Sequence, residues 1–146
     1  MITGLNLGCG TLTFPDCHSV DISALVNPDF VHDLNVFPWP FESDRYERVY
    51  SYDIFEHIDD PIKFMAEIHR VMKVGGKLEM KVNYWRSENA FTDPTHKRFC
   101  TVKTFDYWDE RTEFGKKYPH YAGGRNFHIV RKEPQGEELF FLLEKV

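Results

Sequence analysis

The sequence has few cysteines, no long hydrophobic run and no excess of basic charge. Its three cysteines, Cys9, Cys17 and Cys100, show no CxxC spacing, which argues against a zinc site and is typical of a reducing cytoplasm. No apolar run approaches the ~20 residues of a membrane span, and the first residues lack the pattern of a signal peptide. We therefore expect a cytoplasmic protein with no membrane partner.

The charge balance and the histidines also exclude classes of function. A net charge of −5 argues against nucleic acid as the main partner, because phosphate binding normally requires a basic surface. A local basic patch stays open, since Lys97, Arg98 and Lys103 lie close together in the chain. Four histidines are scattered along the chain, namely His18, His69, His120 and His128, and their spacing predicts no metal site.

Short apolar runs alternate with turns, and the chain length of 146 residues is typical of one domain, residues 1–146. Strands are predicted over residues 5–7, 20–22, 30–34, 48–52, 76–83, 127–132 and 138–146. A helix is expected to begin at Pro61 and to end at Gly75 and Gly76, and a second helix is expected over residues 101–114. The short last turn fits only an antiparallel hairpin. The pattern predicts an α/β fold with a Rossmann-like, mostly parallel seven-stranded sheet and an antiparallel C-terminal hairpin.

The predicted strands end in residues that suit a nucleoside. Gly8, Cys9 and Gly10 follow the first strand, Asp21 ends the second and Asp33 the third. In an open α/β sheet, ligands bind at the carboxyl ends of the strands. Glycines let the backbone approach a ligand closely, and a carboxylate can accept both hydroxyls of a ribose. The order therefore predicts a nucleoside pocket.

The same segments resemble the ordered motifs of class I S-adenosylmethionine-dependent methyltransferases. Residues 5–10, 20–22, 32–34 and 51–58 are similar to the first four motifs, and residues 71–78 to the following helix, turn and fifth strand. The resemblance implies S-adenosyl-L-methionine as cofactor, with the ribose on Asp21, the adenine amino group near Asp33 and the methionine end near the fourth motif. The cofactor-binding residues that it implies are Asn6, Gly8, Cys9, Gly10, Asp21, Ile22, Asp33, Leu34, Tyr52 and Asp53.

Two features depart from the family pattern. Asn6 stands where the family usually has an acid, so a charge-assisted bond to the methionine amino group is missing. Gly10 and Asp21 are 21 − 10 = 11 positions apart, which leaves little room for a crossover helix. The expected fold therefore has a shortened first crossover and no N-terminal cap helices. An open pocket and a pocket closed by the second subunit of a homodimer both fit this pattern.

The catalytic candidates are His96 and His57, with Asp93 and Tyr84 as further possible bases. A histidine titrates near ~6.5, which suits a general base at neutral pH. His96 follows the fifth strand, where related enzymes build the acceptor site, although a solvent-exposed loop histidine would give the same pattern. His57 follows the fourth motif, where a histidine that only packs near the pocket floor would fit equally well. Lys97 and Arg98 could bind an anionic acceptor or be solvated. Four aromatic residues could line an acceptor pocket but are more often core, namely Trp39, Tyr84, Trp85 and Phe91.

The function that the sequence favours is methyl transfer to an oxygen or nitrogen of a small-molecule or sugar-like acceptor. The alternative is a non-catalytic S-adenosylmethionine-binding or regulatory module of the same fold, which would bind the cofactor without transferring methyl groups. A nicotinamide-dependent oxidoreductase is disfavoured, because residues 8–13 lack the third glycine of GxGxxG.

Overall fold

The protein folds around one seven-stranded sheet, and the computed structural model describes all 146 residues. The strands are β1 (Gly4–Leu7), β2 (Cys17–Asp21), β3 (Phe30–Val31), β4 (Tyr46–Tyr52), β5 (Met72–Asn83), β6 (Phe127–Gln135) and β7 (Glu138–Lys145). Their spatial order is β3-β2-β1-β4-β5-β7-β6. Strands β1 to β5 pair in parallel, β7 pairs antiparallel with β5, and β6 pairs antiparallel with β7. The predicted Rossmann-like sheet with a C-terminal hairpin is confirmed.

Few helices accompany this sheet. The α-helices are α1 (Pro61–Val71), α2 (Asn89–Thr92) and α3 (Glu113–Lys117), and the 3-10 helices are Ala24–Val26, Phe55–His57 and Thr104–Trp108. Only α1, with 11 residues, exceeds five residues. None of these helices has the length and apolar composition needed to cross a bilayer.

Helix α1 covers one face of the sheet and begins where the sequence predicts. The Asp60 carboxylate accepts a hydrogen bond of 3.0 Å from the backbone N–H of Lys63, and Pro61 occupies the first turn. The apolar side of α1 is fully buried and belongs to a core of 26 residues. Along β5, Leu78, Met80 and Val82 join this core, as their alternation with charged residues predicts.

The predicted end of α1 at Gly75 and Gly76 is wrong. The helix ends at Val71, and Met72 enters β5 directly. The N–H of Met72 makes the last helical hydrogen bond, to the carbonyl of Ile68. Met72 is already extended and pairs with Tyr46 of β4, so the strand begins four residues before Gly76. Gly75 has a φ of +80° and lies within β5, close to where the register between β4 and β5 shifts.

The first crossover contains no helix, as the short spacing predicts. Residues 8–16 form turns, and residues 1–3 before β1 are not helical. The Phe14 ring stacks on Tyr50 of β4 with 4.0 Å between ring centroids. An aromatic side chain thus packs on the sheet face that a crossover helix would cover.

The third strand is shorter than predicted over residues 30–34, because it ends at Val31. Asp33 turns the chain: its carboxylate accepts the N–H of Asn35 at 2.9 Å, and its carbonyl accepts the N–H of Val36 at 2.9 Å. Asp33 therefore lies in a turn beyond a two-residue edge strand.

The predicted helix over residues 101–114 is also wrong. The chain forms the 3-10 helix Thr104–Trp108 and then the short α3, with a break at Asp109. Asp109 is 1% exposed, and its carboxylate accepts hydrogen bonds from Arg111 and from the backbone N–H of Ile129 in β6. These bonds to β6 and to Arg111 replace a continuous helix.

The contribution of the Asp109 hydrogen bonds to stability can be tested through the pH dependence of unfolding. Burial raises the pKa of Asp109, but the hydrogen bonds from Arg111 and Ile129 outweigh it and lower the pKa to about 2. An unfolded Asp has a pKa of ~3.9, so the ionised group contributes roughly 2 kcal/mol above that pH and loses it as the pH falls through ~2. Urea unfolding of Asp109→Asn should show a lower free energy of unfolding at pH 7. The difference from wild type should disappear as the pH approaches ~2, and a difference that stays constant with pH would contradict this account.

Candidate active site

A cleft lies where the carboxyl ends of the first three strands meet. It has a volume of about 550 Å³, within the range of small-molecule sites. Eleven residues line it: Gly8, Asp21, Ile22, His32, Asp33, Leu34, Asn35, Ile54, His57, Ile58 and Thr95. The structure therefore brings the predicted cofactor residues Gly8, Asp21, Ile22, Asp33 and Leu34 to one cleft, together with the catalytic candidate His57.

The glycine turn after β1 fits a ligand that approaches the backbone. Gly8 has a φ of +59°, and a Cβ at this position would lie 2.0 Å from Cδ1 of Ile54. Gly10 has a φ of +51°, and a Cβ there would meet no atom within 4 Å. The N–H of Gly10 donates to Oδ2 of Asp21 at 2.9 Å, and the N–H of Ser23 donates to Oδ1 at 2.9 Å. These two bonds fix the carboxylate at the cleft wall, and each oxygen keeps a lone pair for a further donor.

Five predicted cofactor residues do not line the cleft: Asn6, Cys9, Gly10, Tyr52 and Asp53. Cys9 is buried, as expected for a small filler between two glycines, and burial raises the pKa of its thiol. The Tyr52 hydroxyl donates to Glu79. Asp53 has a φ of +57° and lies beside Glu138, whose pKa is raised by burial and by the Asp53 carboxylate. Direct cofactor contacts of these residues stay predictions.

Asn6 has a structural task that explains the departure from an acid. It is 2% exposed, and its Nδ2 donates to the carbonyl of Leu12 at 2.9 Å, which closes the glycine turn. A carboxylate accepts hydrogen bonds and does not donate them, so an ionised acid could not make this bond. The amide at position 6 is therefore suited to hold a turn that has no crossover helix behind it.

The second half of the site comes from two segments that lie far apart in the sequence. The 3-10 helix Phe55–His57 follows β4, and the loop of residues 93–98 follows α2. The backbone N–H of Lys97 donates to the carbonyl of Glu56 at 2.8 Å, and Arg98 donates to the carbonyl of Phe55 at 2.5 Å. Lys97 also pairs with Asp59. The backbone of Lys97 and the side chain of Arg98 thus dock the loop, and a role of either cation in binding an anionic acceptor stays a prediction.

This docking brings His57 and His96 together, with 4.8 Å between their ring centroids. Their Nε2 atoms each lie 3.8 Å from Oδ2 of Asp93. The His57 side chain is 35% exposed and lines the cleft with Thr95, whereas the His96 side chain is 6% exposed. Burial and the neighbouring His96 lower the pKa of His57. The two catalytic candidates therefore form one pair beside the cleft.

Hydrogen bonds determine which ring nitrogens carry protons. Nδ1 of His96 lies 2.9 Å from the carbonyl of Ala90, so this nitrogen donates. Thr95 donates its hydroxyl proton to Asp93 at 2.7 Å and accepts from Nδ1 of His57 at 3.0 Å. In both neutral rings the proton is on Nδ1, and Nε2 presents a lone pair.

Sequence reasoning missed Glu56 and Thr95. Glu56 is 1% exposed; Oε1 accepts a bond of 3.3 Å from the N–H of Asn83, and Oε2 has no partner. Burial, together with the Asp53 carboxylate, raises the pKa of Glu56 to about 7. One oxygen of Glu56 and one ring nitrogen of each histidine lie within 4.8 Å of one another. The only sequence signal was the position of Glu56 beside His57, because nothing local shows that this carboxylate is buried.

Of the four aromatic residues considered for an acceptor pocket, some lie in the core and others at the surface. Trp39 is 2% exposed and donates through Nε1 to the carbonyl of Leu34 at 3.1 Å, so it supports the cleft from below. Tyr84 packs against the core, whereas Trp85 and Phe91 are exposed. None of these four lines the cleft.

The cleft fits S-adenosyl-L-methionine, since Gly8 and two carboxylates line it and the glycine turn continues to Gly10, beside which there is open space. Asp21→Ala should weaken cofactor binding roughly 10- to 150-fold, because it removes charged hydrogen bonds worth about 1.5–3 kcal/mol. Isothermal titration calorimetry with S-adenosyl-L-methionine measures this, and Glu133→Ala, on the distant hairpin, should keep the wild-type Kd. An unchanged Kd in Asp21→Ala would contradict the ribose assignment.

Comparison with known proteins agrees with this geometry. Residues 5–80, more than half of the chain, match the family described as the methyltransferase domain, while no curated protein matches the chain in sequence. The fold resembles an S-adenosylmethionine-dependent methyltransferase from Mesorhizobium loti, with a TM-score of 0.67, 12% identity, and coverage of 97% of this chain and 90% of that one. It also resembles a putative S-adenosylmethionine-dependent methyltransferase from Listeria monocytogenes, with a TM-score of 0.66, 14% identity, and coverage of 99% and 91%.

A third similar structure is the putative methyltransferase from Haloferax volcanii, solved in complex with the Trm112 methyltransferase activator. Its TM-score is 0.65 at 16% identity, with coverage of 97% of this chain and 81% of that one. At such identities the solved structures show the fold, and the family match over residues 5–80 supplies the activity class. The chain belongs to the methyltransferase-domain family and is an enzyme with S-adenosyl-L-methionine as its cofactor.

Proposed function

We propose that this enzyme transfers the methyl group to an oxygen or nitrogen atom of a small-molecule or sugar-like acceptor, with His96 and His57 as catalytic residues. One observation carries the proposal: the cleft lined by Gly8, Asp21 and Asp33 is also lined by His57. The predicted nucleoside-binding residues and His57 therefore line one small cavity, and His96 packs behind His57.

The cofactor supplies an activated methyl group, so the protein mainly has to hold the reactants in place and exclude water. Asp21 and the glycine turn hold the nucleoside end, and Asp33 stands at the adenine end. His57 meets the acceptor from the opposite side. Its Nε2 lone pair is the group that can take the acceptor proton as the new bond to carbon forms.

The surroundings of His57 suit this task. Thr95, itself bonded to Asp93, accepts from Nδ1 and holds the ring in the tautomer with a free Nε2. The carboxylate of Asp93 lies 3.8 Å from that Nε2 and would stabilise an imidazolium. His96, held by Ala90, presents its own Nε2 to the same carboxylate.

Size and charge support this acceptor class. The cavity of about 550 Å³ must hold the cofactor as well as the acceptor, which favours a small acceptor. The net charge is −5, and Lys97 and Arg98 are engaged in internal contacts, which disfavours a polyanion.

The acceptor class can be tested with methyl-labelled S-adenosyl-L-methionine and a panel of small hydroxyl- and amine-bearing compounds, including sugars. Mass spectrometry should find the label in an O–CH3 or N–CH3 product, with an equal amount of S-adenosylhomocysteine. Label found only in RNA or in protein would contradict the small-molecule proposal.

Substitution of His96 tests the catalytic pair. His96→Ala should lower kcat, at most by the roughly 10²- to 10⁴-fold that acid–base catalysis contributes, because it removes the ring that packs against the base His57. The Kd for the cofactor should change little, since His96 does not line the cleft. Steady-state kinetics and calorimetry separate the two effects, and His128→Ala is a control at a distant histidine. Wild-type turnover in His96→Ala would exclude a catalytic role for this residue.

A further inference from the structure

We infer that Glu56, His57 and His96 form a binding site for one divalent first-row transition-metal ion at the side of the cleft, with Asp93 as a fourth ligand. The site itself follows from side-chain positions. Its use in catalysis rests on the proposed function, which it deepens by naming how the acceptor is activated.

The donor atoms converge on one point. A carboxylate oxygen of Glu56 and a nitrogen of each histidine lie within 4.8 Å of one another. Oδ2 of Asp93 lies 3.8 Å from the Nε2 atoms of His57 and His96. Ligation at ~2.0–2.2 Å requires these side chains to move closer together, and the 44% exposed Asp93 side chain would also have to move towards the Glu56 carboxylate.

The second layer of hydrogen bonds has the form that metal-binding histidines require. A ligating histidine donates its other ring N–H to a carbonyl, a carboxylate or a polar neighbour, which fixes its orientation. Nδ1 of His96 donates to the carbonyl of Ala90, and Nδ1 of His57 donates to Thr95. Both Nε2 lone pairs are left for a ligand.

Glu56 supplies an independent observation. Its side chain is buried, and Oε2 has no hydrogen-bond partner. Buried polar atoms are nearly always paired, and an unpaired one calls for an explanation. A cation bound between this carboxylate and the two rings would satisfy Oε2.

A second group of similar composition shows the contrast. Asp109, Glu110 and His128 also lie within 4.8 Å of one another. The Asp109 oxygens already accept bonds from Arg111 and Ile129, and Nε2 of His128 lies 2.8 Å from Glu110. These donors are occupied, so this group carries no such proposal and serves as a control.

The ligand chemistry limits the ion. Two imidazoles and one or two carboxylates suit zinc, iron(II), cobalt(II) or manganese(II), whereas magnesium and calcium prefer oxygen ligands throughout. We therefore expect zinc and cobalt to bind far more tightly than magnesium.

A bound ion would change the role of the histidines. It would take both Nε2 lone pairs, so His57 and His96 would act as ligands, and the ion would lower the pKa of an acceptor hydroxyl bound to it. The O–H proton would leave to water at the open side of the cleft. The oxygen lone pair would form the O–CH3 bond while the S–CH3 bond breaks, with its electron pair left on sulfur.

The test is calorimetric titration of ZnCl2 or CoCl2 into tag-free protein that has been treated with a chelator and then freed of it. One ion per chain should bind, with MgCl2 much weaker, and cobalt should give visible absorption of a nitrogen- and oxygen-ligated ion. His96→Ala and Glu56→Gln should each weaken binding at least tenfold, while His128→Ala should not. If either variant fails to fold by circular dichroism, His57→Gln, at the more exposed ligand, gives the same comparison.

Absence of saturable binding, or equal binding by the three ligand variants and wild type, would overturn the inference. Methyl transfer by such metal-free protein would leave the proposed function intact, with the free histidines as bases. Saturable zinc binding without transfer to any small acceptor would instead support the metal site and contradict the proposed acceptor class.

Discussion

The parallel pairing of β1 with β2 on one side and with β4 on the other is the constraint on which the site depends. All four residues of β1 are buried, and Leu7 is level with Val20 of β2 and Ser51 of β4. Parallel strands in register end at the same edge of a sheet. The glycine turn, Asp21 and the segment after β4 are therefore neighbours, although residues 11–52 separate the first from the last in the sequence.

Few helices pack on the sheet that brings these cleft segments together. One helix longer than five residues packs on the core side, and on the other side Phe14 and the tyrosines of β4 stack together. The turns at the cleft are consequently held by side chains. Asn6 closes the glycine turn through Leu12, and Asp21 ties the same turn to β2. Both bonds are local substitutes for the order that a crossover helix would impose on the turn.

The histidine pair depends on a different constraint, the docking of the loop 93–98 against the 3-10 helix Phe55–His57. Lys97 and Arg98 bond backbone carbonyls of that helix, and this contact brings His96 beside His57. Arg98 makes this contact through its guanidinium, whereas Lys97 makes it through its backbone N–H and pairs its ammonium with Asp59. Together these contacts hold the neighbouring His96 in position.

The sequence by itself determined the sheet and the order of its motifs, because strand periodicity and the residues that follow each strand are local properties. The cofactor came from the resemblance of those ordered motifs to a known family. It failed at the end of α1 and over residues 101–114, where pairing of Met72 with Tyr46 and bonding of Asp109 to Ile129 override local helical preference. It named His57 and His96 separately. Only the tertiary structure decided that they form a pair with Glu56, that Asn6 serves the turn, and that Tyr52 and Asp53 lie outside the cleft. These outcomes depend on contacts between segments far apart in the chain, and local residue patterns do not indicate such contacts.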